Sequence, residues 1–208
     1  EKGLSPSIGH YKAGSYENIE SLIFEAKKLG IKYLTFWGFS TENWTRSPIE
    51  IKAIFNLILK GIKRFSEKSI ENKIKFKHMG RKDRLPKELL KALKELEEKT
   101  KNFSNFNVQL CLDYGGRDEI IRAVNQVIKS NLKEIDEKTF KQFLDTNNTP
   151  DPDLIIRTSG ENRLSGILPF QSIYAELYFT KIHFPEFNTK ELRKAIQQFS
   201  NRQRRFGN

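Results

Sequence analysis

The sequence has 208 residues, enough for one domain or two small ones, and 37% of them are hydrophobic, which is enough for a core. No run approaches the roughly 20 apolar residues needed to span a bilayer, and no signal-peptide pattern is present, so we expect a cytoplasmic protein. The only cysteine, Cys111, lies in an apolar run, which predicts a buried thiol rather than a disulfide. The net charge of +11 suits nucleic acid, an anionic membrane surface or phosphorylated substrates, and does not choose among them.

Apolar periodicity predicts helices that alternate with strands along the chain. The predicted helices cover residues 16–29, 48–65, 86–99, 117–130, 136–145 and 189–202. The predicted strands cover residues 31–39, 74–79, 108–114, 153–157 and 175–180. This alternation is typical of a single α/β domain with a mostly parallel central sheet flanked by helices. Because the pattern opens with a loop and a helix, we expect the first strand of such a fold to be absent from this chain.

Polar segments follow four of the predicted strands, at the edge where open α/β sheets bind ligands. These segments are residues 40–44, 80–84, 113–117 and 157–166. The fourth combines two arginines with hydroxyls and glycines, the groups that hold a phosphate or diphosphate. The sequence contains no Walker loop, no Gly-x-Gly-x-x-Gly, no Gly-x-Ser-x-Gly and no zinc-type spacing. It therefore predicts a diphosphate site that is not of a standard nucleotide-binding type.

Six segments, taken in chain order, resemble the motif series of the cis-prenyltransferases of the undecaprenyl diphosphate synthase type. They are Gly-His-Tyr-Lys-Ala-Gly (9–14), Phe-Ser-Thr-Glu-Asn-Trp (39–44), Tyr-Gly-Gly-Arg (114–117), Arg-Thr-Ser-Gly-Glu-Asn-Arg (157–163), Tyr-Ala-Glu-Leu-Tyr-Phe (174–179) and Arg-Arg-Phe-Gly (204–207). Each segment alone is a weak signal, but six in order over the whole chain are specific. The stretch Leu-Pro-Phe-Gln-Ser (168–172) is more similar to archaeal members.

The resemblance implies an enzyme that adds isopentenyl diphosphate repeatedly to an allylic diphosphate of farnesyl or geranylgeranyl type. Each new double bond is cis, and the polyprenyl diphosphate serves as a carrier lipid for glycosyl groups. The resemblance further implies Mg²⁺, a homodimer, contact with a membrane surface and an apolar tunnel for the growing chain. Tunnel candidates are Phe55, Ile58, Leu59 and Ile62. An amphipathic helix that faces an ordinary core explains these four residues more simply.

The resemblance assigns the diphosphate of isopentenyl diphosphate to Arg157, Arg163 and Ser165, although two arginines can equally tie down a loop. Arginines flanked by glycines suit anion binding, which favours the functional interpretation. Glu176 is the expected Mg²⁺ ligand. It lies between apolar neighbours, where an unpaired carboxylate would be costly and a cation would offset that cost.

Four further residues are candidates on the substrate side. Asn43 is expected beside the reacting diphosphates, where it assists proton removal, or it is a loop-capping amide. His10 is expected to contact the allylic diphosphate, or it is structural. Ser40 belongs to the same motif as Asn43, and Trp44 is expected to pack at the mouth of the apolar pocket.

The resemblance also assigns a role to the end of the chain. Arg205 and Gly207 form an Arg-x-Gly motif whose backbone amide is expected to reach the diphosphate in the partner subunit of the dimer. The helix before this motif would carry Ile196 and Phe199 as apolar anchors of the dimer contact.

Three departures from the family pattern leave alternatives open. The family's main catalytic aspartate is expected upstream of Glu1, Asp113 stands where the family usually has asparagine, and Pro6 occupies a region that often carries arginine. A non-catalytic subunit of a heteromeric cis-prenyltransferase is one alternative. A basic nucleic-acid-binding domain is another, although the aromatic residues lie in apolar runs rather than among lysines and arginines. A phosphatase or another phosphoryl-transfer enzyme is the third.

Overall fold

The structure is a computed structural model that describes residues 16–202. Its helices are α1 (Tyr16–Lys28), α2 (Pro48–Glu71), α3 (Lys87–Thr100), α4 (Gly116–Lys129), α5 (Glu137–Lys141) and α6 (Thr189–Ser200). Its strands are β1 (Tyr33–Ser40), β2 (Ile74–Met79), β3 (Phe106–Tyr114), β4 (Leu154–Arg157) and β5 (Glu176–Phe179). Two short 3₁₀ turns cover Thr41–Thr45 and Phe184–Glu186. Within this part of the chain, no helix is both long and apolar enough to cross a membrane.

The described strands form two parallel sheets. β3 lies in the centre of a three-stranded sheet of order β1-β3-β2, and both of its neighbours run parallel to it. β4 and β5 form a separate parallel pair in which Arg157 lies opposite Phe179. The helices cover these strands, with α2 and α3 packed against β2, and α6 against α1 and β5. The predicted α/β class and the parallel pairing are confirmed.

The core lies between the three-stranded sheet and its helices. β3 is buried along almost its whole length, as the central strand of a parallel sheet should be. Cys111 is buried on this strand with its thiol free, as predicted, and burial raises its pKa well above the usual range. Of the four tunnel candidates, Phe55 and Ile62 belong to the buried core, whereas Ile58 and Leu59 are partly buried against it.

Side-chain caps fix the start of two helices. Ser47 Oγ accepts a hydrogen bond from the amide of Glu50 at 3.3 Å, and Pro48 occupies the first helical position. Asp136 Oδ1 accepts from the amide of Thr139 at 2.7 Å. The helix that follows Asp136 was predicted to reach residue 145, and this is wrong because α5 ends at Lys141.

The physical reason lies in the polar segment that follows α5. Lys77 Nζ donates to the carbonyl of Asn147 at 2.8 Å, and Gln109 Nε2 donates to Thr149 Oγ1 at 2.8 Å. Asn148 adopts a left-handed backbone with φ of 62°. Hydrogen bonds from β2 and β3 therefore fix this segment in an irregular conformation, and the helix does not continue through it. Hydrophobic periodicity does not reveal these bonds.

Candidate active site

The Tyr-Gly-Gly-Arg motif holds together two other predicted site segments. Gly115 directly follows the end of β3, and Gly116 is the first residue of α4. A Cβ on Gly115 would lie 2.2 Å from Thr41 Oγ1, in the turn that follows β1. A Cβ on Gly116 would lie 2.0 Å from Pro169 Cδ, and the amide of Gly116 donates to the carbonyl of Gly166 at 2.9 Å. These two positions exclude side chains because a different segment of the rim packs against each of them.

Substitution of Gly115 should disturb the turn at residues 41–45 more than the fold. In Gly115→Ala the new methyl group overlaps Thr41 Oγ1, so Thr41 and the turn must move. We expect a loss of turnover of about tenfold or more at a cost in unfolding free energy of about 1–3 kcal/mol. Steady-state kinetics and urea unfolding measure the two effects.

Gly61→Ala is the matched control, because a Cβ at Gly61 in α2 meets nothing within 4 Å. This control should keep full activity and gain up to about 1 kcal/mol of stability from its better helix propensity. Equal activity in the two variants would contradict the packing role of Gly115.

Arg157 ends β4 at the start of the arginine-rich loop. Its carbonyl accepts from the amide of Thr180 at 2.9 Å, which fixes the backbone of β4 beside the residues after β5. Its Nε is buried and has no hydrogen-bond partner within residues 16–202. A buried guanidinium N–H without an acceptor is costly, and an anionic oxygen is the acceptor that arginine binds best. An anionic ligand at this position would satisfy the Arg157 Nε donor.

The loop beyond Arg157 is irregular but anchored. Ser159, Gly160, Ser165 and Gly166 all have left-handed backbones, with φ between 54° and 95°. The amide of Ser159 donates to the carbonyl of Ile182 at 2.8 Å, and the amide of Gly160 donates to the carbonyl of Thr180 at 2.9 Å. These two hydrogen bonds fix the start of the loop beside the residues that follow β5.

Arg163 and Ser165 lie on the exposed side of this loop. The Arg163 guanidinium is 63% exposed and pairs with the carboxylate of Glu161, two residues earlier. Ser165 is exposed and follows Arg163 by two positions. The structure thus places the two residues on one loop with Arg157, but it engages Arg163 with a neighbouring carboxylate.

The segment Ser40 to Trp44 forms a tight turn at the end of β1. Ser40 lies opposite Tyr114 in the ladder between β1 and β3, which places the turn beside the Tyr-Gly-Gly-Arg motif. Asn43 Oδ1 accepts from the amide of Ser40 at 2.9 Å, so the side chain does cap its own loop. The Trp44 ring packs at centroid distances of 5.4 Å from Phe39 and 5.6 Å from Phe55. Trp44 therefore packs beside the core, and its place at the mouth of an apolar pocket stays a prediction.

Comparison with known proteins decides the family. The sequence model of the undecaprenyl diphosphate synthase family matches residues 1–207. An isoprenyl transferase of Aquifex pyrophilus is 43% identical over 207 residues, which cover all of this chain and 89% of that protein. The chain belongs to the undecaprenyl diphosphate synthase family. It is a prenyltransferase, and the predicted resemblance is confirmed.

Two further relatives show the breadth of this prenyltransferase family. A tritrans,polycis-undecaprenyl-diphosphate synthase (geranylgeranyl-diphosphate specific) of Thermoplasma volcanium is 42% identical and covers 99% of this chain and 82% of that protein. The crystal structure of lavandulyl diphosphate synthase from Lavandula x intermedia in complex with dimethylallyl diphosphate matches with a TM-score of 0.93 at 33% identity. That match covers all of this chain and 91% of the plant chain. The bacterial and archaeal identities are nearly equal, so they do not single out the archaeal members.

In this prenyltransferase, Glu176 does not lie beside Arg157. The two residues occupy opposite ends of the pair β4–β5, with Glu176 opposite Leu154, so about 10 Å of strand separates them. One Glu176 carboxylate oxygen accepts from Arg202 Nη1 at 2.5 Å.

Within residues 16–202, no three His, Cys, Asp or Glu side chains are grouped to hold a metal ion. Mg²⁺ often takes one or two carboxylates and completes its shell with substrate phosphates, so Glu176 fits as one ligand of such an ion.

Three predicted site residues lie outside the described residues. They are His10, Arg205 and Gly207.

The sequence reasoning missed a buried carboxylate at the start of α4. Glu119 is 1% exposed and accepts from Tyr114 Oη at 2.6 Å, Gln171 Nε2 at 3.1 Å and the amide of Asp145 at 2.9 Å. Burial raises the pKa of the Glu119 carboxyl. An acid in the first turn of a helix usually faces solvent, so nothing in the local sequence indicated this connection between the motif tyrosine and the segment after the arginine loop.

Proposed function

We propose that this chain catalyses the repeated condensation of isopentenyl diphosphate with an allylic diphosphate. Each cycle forms one carbon–carbon bond, releases the diphosphate of the allylic partner and removes one proton from the isopentenyl unit. The product is a polyprenyl diphosphate for use as a glycosyl carrier lipid. The observation that carries the proposal is the buried Nε of Arg157, which has no acceptor among residues 16–202 and lies at the start of an anchored loop with a second arginine.

Arg157, Arg163 and Ser165 would bind the diphosphate of isopentenyl diphosphate. Arg157 supplies a preformed donor, and Arg163 would exchange the carboxylate of Glu161 for the ligand. Such an exchange is feasible because an exposed ion pair contributes at most about 1 kcal/mol. Two guanidinium groups on one short loop match the two phosphate groups of the substrate.

Asn43 would serve the reacting end of the substrates. The turn that carries Asn43 packs on Gly115, and Gly116 packs on Pro169, which follows the arginine loop. The two adjacent glycines therefore fix the turn and the arginine loop relative to each other. Asn43 Oδ1 already accepts from Ser40, which fixes the orientation of the amide. We propose that this fixed amide, together with Ser40, assists proton removal and holds diphosphate oxygens.

We further propose that the reaction uses Mg²⁺. When bound, the ion would neutralise diphosphate charge, and Glu176 is the described carboxylate that would hold it. Arg202 must then release Glu176, since the two groups are paired. The family's main catalytic aspartate is expected upstream of Glu1, and His10 is proposed to contact the allylic diphosphate.

The names of the relatives support allylic diphosphates as the substrate class, but they do not identify one allylic diphosphate as the primer. The Thermoplasma volcanium relative is named for geranylgeranyl diphosphate, and the plant structure contains dimethylallyl diphosphate. We propose an allylic diphosphate of farnesyl or geranylgeranyl type for this chain. A long apolar product suits the partly buried Ile58 and Leu59, which lie beside the core.

We also propose a homodimer of single-domain subunits in the cytoplasm that contacts the membrane surface where the product is used. Arg205 and Gly207 would reach the partner's site. Ile196 and Phe199 are both partly buried, and both remain proposed as apolar anchors of the dimer.

Two of the three alternatives are less well supported by these contacts. A non-catalytic subunit has no evident need for the prepared donor at Arg157. A nucleic-acid-binding domain would need exposed aromatic rings for base stacking, whereas Phe39 and Phe55 are buried and pack on Trp44.

A product assay tests the proposed function. The protein is incubated with radiolabelled isopentenyl diphosphate, Mg²⁺ and dimethylallyl, farnesyl or geranylgeranyl diphosphate in turn. We expect label in polyprenyl products with at least one primer, and complete loss of product when EDTA removes the metal. Label that appears only after addition of a second, active prenyltransferase subunit would favour the non-catalytic alternative.

A further inference from the structure

The carboxylate of Asp113 connects three segments of the rim. Asp113 is the penultimate residue of β3, is fully buried, and has a left-handed backbone with φ of 50°. Its Oδ1 accepts from Trp44 Nε1 at 2.8 Å, and its Oδ2 accepts from Arg84 Nε at 2.8 Å. Arg84 Nη2 also donates to Oδ1. The carbonyl of Asp113 accepts from the amide of Arg81 at 3.0 Å.

The chemistry of these contacts favours a carboxylate over an amide. All three side-chain contacts to Asp113 come from donors, and they use both of its oxygens. An asparagine at this position offers one acceptor oxygen and would turn its NH₂ group toward a donor. The forked contact from Arg84 would then lose one of its two bonds, along with the charge assistance that makes such bonds strong.

Trp44 transmits the position of this carboxylate to the turn at residues 41–45. The Arg84 guanidinium lies 5.3 Å from the Trp44 ring centroid, so the same arginine contacts both the carboxylate and the indole. Trp44 directly follows Asn43, and the turn is short and internally bonded. A shift of the indole therefore shifts the asparagine amide with it.

We infer that Asp113 is a positioning residue that holds Trp44, and with it Asn43, through a carboxylate fixed by Arg84. Asp113 acts through the turn and not on the substrate. Its kinetic consequence rests on the proposed function, but its effect on Trp44 does not.

Tryptophan fluorescence tests the physical part of the inference. The chain has two tryptophans, so a Trp37→Phe background leaves Trp44 as the only emitter. In this background, Asp113→Asn should raise the Stern–Volmer constant for acrylamide quenching about twofold, because the group that accepts from the indole is no longer fixed by both bonds from Arg84. Arg84→Gln should have a similar effect, and the double variant should add little to either single change.

Kinetics test the functional part. Asp113→Asn should lower kcat about tenfold or more, while the KM for isopentenyl diphosphate stays within about twofold, because Arg157 and its loop keep their contacts. Asp118→Asn is the matched control. Asp118 also accepts from two arginines, Arg81 and Arg122, but neither lies in the turn. This control should leave Trp44 quenching and kcat unchanged even where it lowers stability.

Two results would overturn the inference. One is unchanged quenching in both Asp113→Asn and Arg84→Gln. The other is a loss of kcat that follows stability equally in Asp113→Asn and Asp118→Asn, which would make Asp113 merely structural. If Asp113→Asn does not fold, Arg84→Gln alone decides, because it keeps the carboxylate and its bond to Trp44. A changed quenching constant with no prenyl transfer in the parent protein would reject the proposed function and retain the positioning role.

Discussion

Arg157→Ala should raise the KM for isopentenyl diphosphate roughly ten- to a hundredfold and leave the fold intact. Within the described part of the chain the buried Nε of this guanidinium has no acceptor, so its removal relieves a cost in the free protein and removes a charge-assisted bond in the complex. Such a bond contributes about 1.5–3 kcal/mol, which corresponds to that range of affinity. Steady-state kinetics with varied isopentenyl diphosphate measure the change, and thermal unfolding should show no loss of stability.

The control for Arg157→Ala is Lys91→Ala, which removes one positive charge from an exposed side chain of α3. We expect this control to leave KM unchanged within about twofold, because exposed charges are screened by salt. A comparable rise of KM in both variants would mean that net charge, rather than a specific contact, attracts the substrate. An unchanged KM in Arg157→Ala would remove the proposed diphosphate site.

Glu119→Ala should be among the most destabilising single substitutions in the described part of the chain. It leaves three donors, Tyr114 Oη, Gln171 Nε2 and the amide of Asp145, without their acceptor. Each buried unsatisfied group costs about 1–3 kcal/mol, so we expect the free energy of unfolding to fall by about 3 kcal/mol or more. Urea denaturation monitored by circular dichroism measures this loss.

Tyr114→Phe is the graded control for Glu119→Ala. It removes one of the three donors and leaves the hydrogen bonds from Gln171 and Asp145, so it should cost about 1 kcal/mol. Glu88→Ala removes an exposed carboxylate paired with Lys63 and should change stability by less than about 0.5 kcal/mol. A cost for Glu119→Ala no larger than that of Tyr114→Phe would show that the three bonds do not act together.

The pH dependence of this substitution has a definite sign. Burial raises the native pKa of Glu119 above the ordinary value of 4.5, so the unfolded chain ionises this group more readily than the folded chain. The raised native pKa of Glu119 therefore adds to the free energy of unfolding. This contribution is fully present below the pKa of the unfolded chain and is lost as the pH rises through the native pKa. The difference in unfolding free energy between the parent and Glu119→Ala should be largest at acid pH and shrink toward neutral pH.

The regular elements could be predicted from local patterns, because hydrophobic periodicity and caps are local. Residues 74–79 were predicted as a strand and form β2 with the same bounds, and Ser47 caps α2 as its sequence indicates. The site was predictable only in part. The glycines at 115 and 116 belong to a recognisable motif, but their contacts with Thr41 and Pro169 depend on tertiary approach. Asp113 and Arg84 are 29 residues apart, and no local rule pairs them.

The central place of β3 affects how this chain can reach its native state. β1 and β2 do not pair with each other, because β3 lies between them. Tyr33 of β1, for example, pairs with Asn107 of β3. During synthesis the apolar segments of β1 and β2 therefore emerge well before their common neighbour. Closing such long loops slows folding, and exposed strand edges favour aggregation until the last strand of the sheet arrives. The strand that leads into the Tyr-Gly-Gly-Arg motif thus completes the three-stranded sheet.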